Sequence, residues 1–252
     1  MTSGVRVTDT SFGQADAAVE AYVVEPPAGA AKAGILFLHW LGEHHNDRTQ
    51  FLAEARGYAA LGVRCVLPAG RLPWVPDPVD AETDAANIEI EQRRLGAALA
   101  ALQAGLPRNA PLALVGHDFG AMHGLVLASR RQVFKAAVLI AATPRWGDWF
   151  LRFWKIDGDR FDYLRALSRL DPIEAARSLK AMTLWQFSSR DFYIAPMSAV
   201  ELARAQPIPE GSQPVPEGSQ PAIEWYEADH AMRSAKARAA RRRFLGDQLG
   251  LG

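Results

Sequence analysis

Residues 112–124 read LALVGHDFGAMHG, and this stretch decides the fold. An apolar run over 111–115 ends in Gly116-His117-Asp118-Phe119-Gly120, and a helical pattern from about 119 to 130 begins at once. The form Gly-x-nucleophile-x-Gly on a strand-to-helix turn puts Asp118 at the nucleophile position of a sharp elbow. Such a turn strains its central residue, and larger side chains at the two glycines would collide with neighbouring backbone. The helix that follows points its first amides at the same spot, which stabilises negative charge there.

Working outward, short β-type runs alternate with helical stretches. Upstream lie strands at 5–12, 18–24, 33–40 and 63–67, and the third of these (AGILFLHW) is nearly all apolar, as in a strand buried on both faces. Helices are expected at 47–61, with Asp47 as cap and Gly62 as stop, and at 83–106. A proline-rich loop containing Trp74 separates the second of these from the strand before it. Downstream come strands at 134–141, 182–187 and 223–227, with helices at 196–205 and 231–249. The alternation predicts a single α/β domain over 1–252: a mostly parallel eight-stranded sheet with helices on both faces. Two segments interrupt it. Residues 145–170 (RWGDWFLRFWKIDGDRFDYLRALSRL) are aromatic-rich and are expected to form a short lid, while PEGSQP at 209–214 recurs at 216–221 and reads as an exposed irregular loop.

Parallel sheets place their chemistry at the carboxyl ends of the strands. There, Asp191 follows the run 183–187, and His230 follows the run 224–228 and precedes the last helix. Nucleophile, acid, histidine in that chain order is the α/β-hydrolase order, so Asp118, Asp191 and His230 are the expected catalytic group. The strand at 35–38 leads into His39-Trp40-Leu41-Gly42. In this arrangement the loop after that strand supplies one oxyanion-hole amide, from Trp40 or Leu41, and Phe119 supplies the other. His39, Trp146, Trp149 and Tyr193 are expected to line the substrate pocket.

Composition narrows the partners. Lysine plus arginine and aspartate plus glutamate both number 28, so zero net charge offers no reason to expect nucleic acid or an anionic membrane. The basic run 233–243 reads as the solvated face of a terminal helix. Cys65, the one cysteine, sits in an apolar strand and is structural. No secretory pattern opens the chain and no apolar run reaches spanning length, so a cytoplasmic protein is expected. His44-His45 lacks companion ligands at metal spacing, so no metal or other cofactor is expected. A small-molecule substrate is implied, and a homodimer stays open.

The chain resembles the α/β-hydrolase superfamily over almost its whole length. Its Gly-His-Asp-Phe-Gly elbow is similar to the Gly-His-Asp-Trp-Gly elbow of haloalkane dehalogenases and soluble epoxide hydrolases. The short distance from Phe134 to the acid strand, and Asp191 to Pro196 as Asp-x-x-x-x-Pro, look more like compact dienelactone-hydrolase-like members. Two features depart from these patterns: Phe119 replaces a tryptophan whose indole N–H helps the dehalogenases hold halide, and His39-Trp40-Leu41-Gly42 replaces the His-Gly-x-Pro typical of both groups.

A carboxylate nucleophile constrains the reaction. Attack on an ester carbonyl would give a mixed anhydride, higher in energy than the ester itself. Attack on a saturated carbon expels a halide or opens an epoxide and leaves an ordinary alkyl ester, which a His230-activated water can cleave. Trp40, Trp146, Trp149 and Trp154 are candidate N–H donors to a halide, and Tyr163 and Tyr193 candidate O–H donors to an epoxide oxygen. Two alternatives stay open: an esterase or lactonase in which Asp118 is a base for water, and a non-catalytic ligand-binding homologue.

Overall fold

The computed structural model describes residues 4–27, 29–41, 47–70, 77–207 and 222–251. The strand that carries the elbow, β5 (Leu112–His117), is buried along its whole length. It pairs in parallel with β3 (Ala33–Leu38) on one side and β6 (Ala136–Ile140) on the other. Beyond β3 come β4 (Val63–Pro68), β2 (Val19–Glu25) and β1 (Arg6–Phe12); beyond β6 come β7 (Met182–Ser188) and β8 (Ala222–Tyr226). The order is β1-β2-β4-β3-β5-β6-β7-β8, antiparallel at its first two pairings and parallel in the rest. The chain leaves β3 for β4 on one side and returns to β5 on the other. That reversal opens a crevice between the β3 and β5 carboxyl ends, where a doubly wound sheet holds its ligand.

Helices cover both faces. On one, α2 (Ala81–Ala104), α3 (Phe119–Arg131), α6 (Pro172–Ala176) and α7 (Pro196–Ala205) pack in a row. On the other, α1 (Leu52–Ala59) and α8 (Ala235–Leu249) are joined by Arg241, whose Nε donates to Glu54 Oε2 at 3.3 Å and whose Nη2 donates to Oε1 at 2.5 Å. Capping fixes the ends of these helices. The Asp80 carboxylate accepts the Thr83 amide at 2.8 Å to start α2, and Ser234 Oγ accepts the Ala237 amide at 3.3 Å to start α8. The last helix therefore begins four residues later than its pattern suggests, because 231–234 belong to the histidine loop. Asp47 is not a cap: α1 starts after Phe51, and the Asp47 carboxylate takes Thr49 Oγ1 and the Trp40 indole instead.

The segment 145–170 folds as α4 (Gly147–Phe153) and α5 (Arg160–Leu167) followed by a 3-10 turn, Ser168–Leu170. A buried hydrogen bond from the Tyr163 hydroxyl to Asp84 Oδ2, 2.7 Å, fastens α5 to α2. Among the described residues no helix is long and apolar enough to cross a membrane. The tandem repeat, His44-His45 and Trp74 lie outside the described residues.

Candidate active site

At the end of β5 the chain turns through Asp118 with φ 54° and ψ −122° and enters α3 at the next residue. That backbone is one that L residues seldom adopt, so the surroundings must enforce it. A Cβ on Gly116 would lie 2.6 Å from Ala121 Cα, and one on Gly120 would lie 2.5 Å from the Leu38 carbonyl oxygen. Both glycines are therefore demanded by close backbone approach. The turn lifts the Asp118 carboxylate to the mouth of the β3–β5 crevice, where its side chain is only 2 % exposed.

Three strands deliver the expected group to one point. His230 Nδ1 lies 2.9 Å from Asp191 Oδ2, and His230 Nε2 lies 3.7 Å from Asp118 Oδ1. Asp191 is itself held by the amides of Tyr193 (2.8 Å) and Ile194 (3.1 Å) on its other oxygen. With one carboxylate at each ring nitrogen, the imidazole is pinned in orientation. Burial works to lower its pKa, but the hydrogen bond to Asp191 and attraction from Asp118 and Asp191 outweigh it and raise the value to about 10. That shift favours the imidazolium at neutral pH.

The oxyanion loop resolves into separate roles for its residues. The Leu41 amide donates to Asp118 Oδ2 at 3.1 Å, whereas the Trp40 amide donates to Gln50 Oε1 at 2.9 Å and so faces away from the nucleophile. Phe119 opens α3, and a first-turn amide has no intrahelical acceptor. Of the three expected donors, Leu41 directs its amide at Asp118 and Trp40 directs its amide at Gln50. Asp118 Oδ1, by contrast, accepts no hydrogen bond among the described residues.

Two residues outside the sequence expectation hold this arrangement together. His117 Nε2 lies 2.9 Å from the His230 carbonyl oxygen and must donate to it, so its Nδ1 is the acceptor for Gln50 Nε2 at 2.6 Å. Burial holds His117 far below the usual histidine range, which agrees with this neutral tautomer. Since Gln50 also accepts the Trp40 amide, one chain of hydrogen bonds ties the histidine loop to the oxyanion loop. The Trp40 ring stacks on His117 at 5.4 Å.

The expected pocket residues divide. Trp149 is buried beside the triad, 5.8 Å from the His230 ring and 5.3 Å from Phe119, and its indole N–H has no hydrogen-bond partner. Tyr193 packs edge-on against His230 at 4.9 Å and is partly open to solvent. Trp146 is not a wall of the pocket: it is fully buried, and its indole donates to the Leu170 carbonyl at 2.8 Å. His39 is also structural, with Nδ1 donating to the Trp40 carbonyl at 2.6 Å and Nε2 accepting the Gly70 amide at 2.9 Å. Among the other candidate leaving-group donors, the Trp40 indole is taken by Asp47 (2.7 Å) and the Tyr163 hydroxyl by Asp84. Trp154 lies in the lid's aromatic cluster, edge-on to Phe150 at 6.1 Å. Among the described residues no group of three or more His, Cys, Asp or Glu side chains is placed to hold a metal ion.

The sheet order, the elbow on β5 and the helices on both faces define the α/β-hydrolase fold. Solved structures of the same fold include an esterase domain from Rhodothermus marinus (TM-score 0.64, 16% identity, 96% of this chain and 97% of that one). A cold-adapted esterase from an Arctic intertidal metagenomic library aligns at TM-score 0.66 and 14% identity, over 98% of this chain and 95% of that one. Pyrococcus horikoshii acylaminoacyl peptidase aligns at TM-score 0.70 and 13% identity over 97% of this chain, which spans only 41% of the peptidase. No protein-family model matches the chain, and no curated protein does.

Proposed function

We propose that this chain is a hydrolase in which Asp118 attacks a saturated carbon bearing a halide or an epoxide oxygen, passing through an alkyl ester on the enzyme. One observation carries this reading: the Leu41 amide is bonded to an oxygen of Asp118 itself. A hole built for a substrate carbonyl must be vacant to receive it. Here it is filled by Asp118 Oδ2, while Oδ1 is free to attack. After attack, Oδ1 is the ester oxygen and Oδ2 the carbonyl oxygen, already in the hole where negative charge will collect.

The steps balance as follows. The Oδ1 lone pair forms the O–C bond as the carbon–halogen bond breaks, and halide departs with the bonding pair. Forming the ester removes the charge of Asp118, a main support of the His230 imidazolium. The imidazolium then releases its proton, to solvent in the halide case or to the opened oxygen in the epoxide case. Neutral His230, still held by Asp191, takes a proton from water whose oxygen attacks Cγ of Asp118. The tetrahedral intermediate collapses, the Cγ–Oδ1 bond breaks and the alcohol leaves with that proton, while the second water proton, left on the Asp118 carboxyl, passes to His230 and restores the starting charge state. The unpartnered indole N–H of Trp149 is the donor best placed to accompany a departing halide.

The esterase names of the structural neighbours favour a second reading, in which Asp118 acts as base for water on an ester or lactone. Mass spectrometry of His230→Ala, incubated separately with alkyl halides, epoxides and activated esters, separates the two. The proposed mechanism predicts an alkyl or hydroxyalkyl adduct that is missing in Asp118→Asn. Native ester hydrolysis with no adduct from any reagent would transfer the assignment to the second reading, and ligand binding without turnover would leave a binding protein.

A further inference from the structure

Behind the histidine loop lies a second cavity of about 330 Å³, separate from the triad and walled from it by Trp40 and His117. Phe51, Ile140 and Met232 give it apolar sides, and the loop residues Ala231 to Arg233 form its rim. Charge decides what it can hold. Among the described residues, Arg233, Arg238 and Arg241 line it against the carboxylates of Asp47 and Glu54, an excess of one positive charge. Arg241 is buried and already engaged by Glu54 and Gln186. Arg233 and Arg238 are exposed and carry no ion pair among the described residues. The N-terminus of the 15-residue α8, at Ser234, adds its partial positive charge to the same side.

We propose that this cavity binds a small monoanionic carboxylate with an aromatic or short branched body. Arg233 and Arg238 would engage the carboxylate, and the body would lie against Trp40, Phe51 and Met232. One excess positive charge suits a monoanion, whereas a phosphate dianion would leave a negative charge against Asp47 and Glu54. Arginine forks match the planar carboxylate. An occupant touches the loop directly after His230 and the ring of Trp40, whose neighbour Leu41 supplies the amide to Asp118. It is therefore in a position to shift both the imidazole and the hole.

Titration calorimetry with benzoate tests this independently of the catalytic proposal, because it reads binding in the absence of turnover. Wild type and Asp118→Asn are expected to bind benzoate at one site with affinities within about twofold, since the carboxylate of Asp118 lies outside the cavity. Arg233→Gln/Arg238→Gln, which alters only exposed guanidinium groups, should weaken binding by about tenfold or more. Benzamide, the neutral counterpart, should bind far more weakly than benzoate. Absence of saturable benzoate binding to wild type, equal affinity in the double variant, or loss of binding in Asp118→Asn would overturn the proposal. So would benzamide binding equal to that of benzoate, or tighter binding of inorganic phosphate.

Discussion

Asp118 Oδ2 sits in the hole and Oδ1 is free, which has an isotopic consequence. A single turnover in ¹⁸O-water should place the label in the Asp118 carboxylate and leave the first alcohol product unlabelled. Peptide mass spectrometry reads this directly, and label appearing in the alcohol instead would mean that water attacks the substrate. Trp149 gives a second expectation at the same scale. Its N–H is buried without a partner, so Trp149→Phe should lose only ring packing, on the order of 1–2 kcal/mol of stability. If that N–H follows the halide, kcat should fall by about tenfold or more, since a lost transition-state donor is costly. Steady-state kinetics with a haloalkane alongside urea unfolding would show whether the two effects separate. The meeting of Asp118, Asp191 and His230 was legible in sequence because each stands within four residues after a strand, where spacing and chain order carry information. Gln50 and His117 were not, for their roles arise from a contact between a turn and the end of β5, 67 residues apart in the chain. Trp146 and His39 misled for the converse reason: their types suit a pocket, but Leu170 and Gly70 meet them first.

Among the elements, the elbow and the lid carry the heaviest local demands. Gly120→Ala would push a methyl group into the Leu38 and His39 carbonyls, which the helix cannot relieve without leaving β3. A loss of roughly 1–3 kcal/mol or more is expected, typical of overpacking, and chemical denaturation of the variant checks it. Among the described residues, the Tyr163–Asp84 hydrogen bond is a buried polar contact between segment 145–170 and α2. Tyr163→Phe leaves Asp84 without its hydroxyl donor and should cost about 1–3 kcal/mol, with faster proteolysis within α5 than in wild type. Unchanged stability and protease resistance would show that the lid is held by packing alone. The strands were legible nearly to the residue because runs such as 33–38 are apolar throughout and bounded by turn signals. Helix starts were less so. Asp47 has the chemistry of a cap but is drawn away by the Trp40 indole, and α8 waits for Ser234 because the histidine loop must first turn through Met232 at φ 51°.

Across the whole molecule, the buried titratable groups divide with pH: burial lowers His39, His117 and His123, the last to about 3, so the stability they contribute is complete above pH 6.5 and is lost as pH falls. His230 is raised from 6.5 to about 10, against the lowering effect of burial, by its two carboxylate neighbours. Asp171 is raised from 3.8 to about 7, and Asp84 from 3.8 to about 6, both chiefly by burial. Each therefore binds its proton more tightly folded than unfolded. The stability His230 contributes is complete below pH 6.5 and is lost as pH rises through about 10. The two aspartates likewise favour folding when protonated and lose that advantage as pH climbs from about 4 through their folded values. Opposing this, arginine partners lower Asp16, Glu25, Glu89 and Glu201, which favours folding above pH 4. Those groups are largely solvent-facing and screened, so they weigh less. The midpoint of thermal unfolding should accordingly be highest near pH 6.5, falling on the acid side as His39, His117 and His123 resist protonation and on the alkaline side up to about pH 10 as His230 loses its proton. In His230→Ala the alkaline part of that decline should flatten, while the acid-side fall due to the buried histidines persists. A midpoint that rises between about pH 7 and 9 in the native chain would mean that His230 is not an imidazolium between two charged carboxylates. The resting charge state from which the alkylation step starts would then be wrong as well.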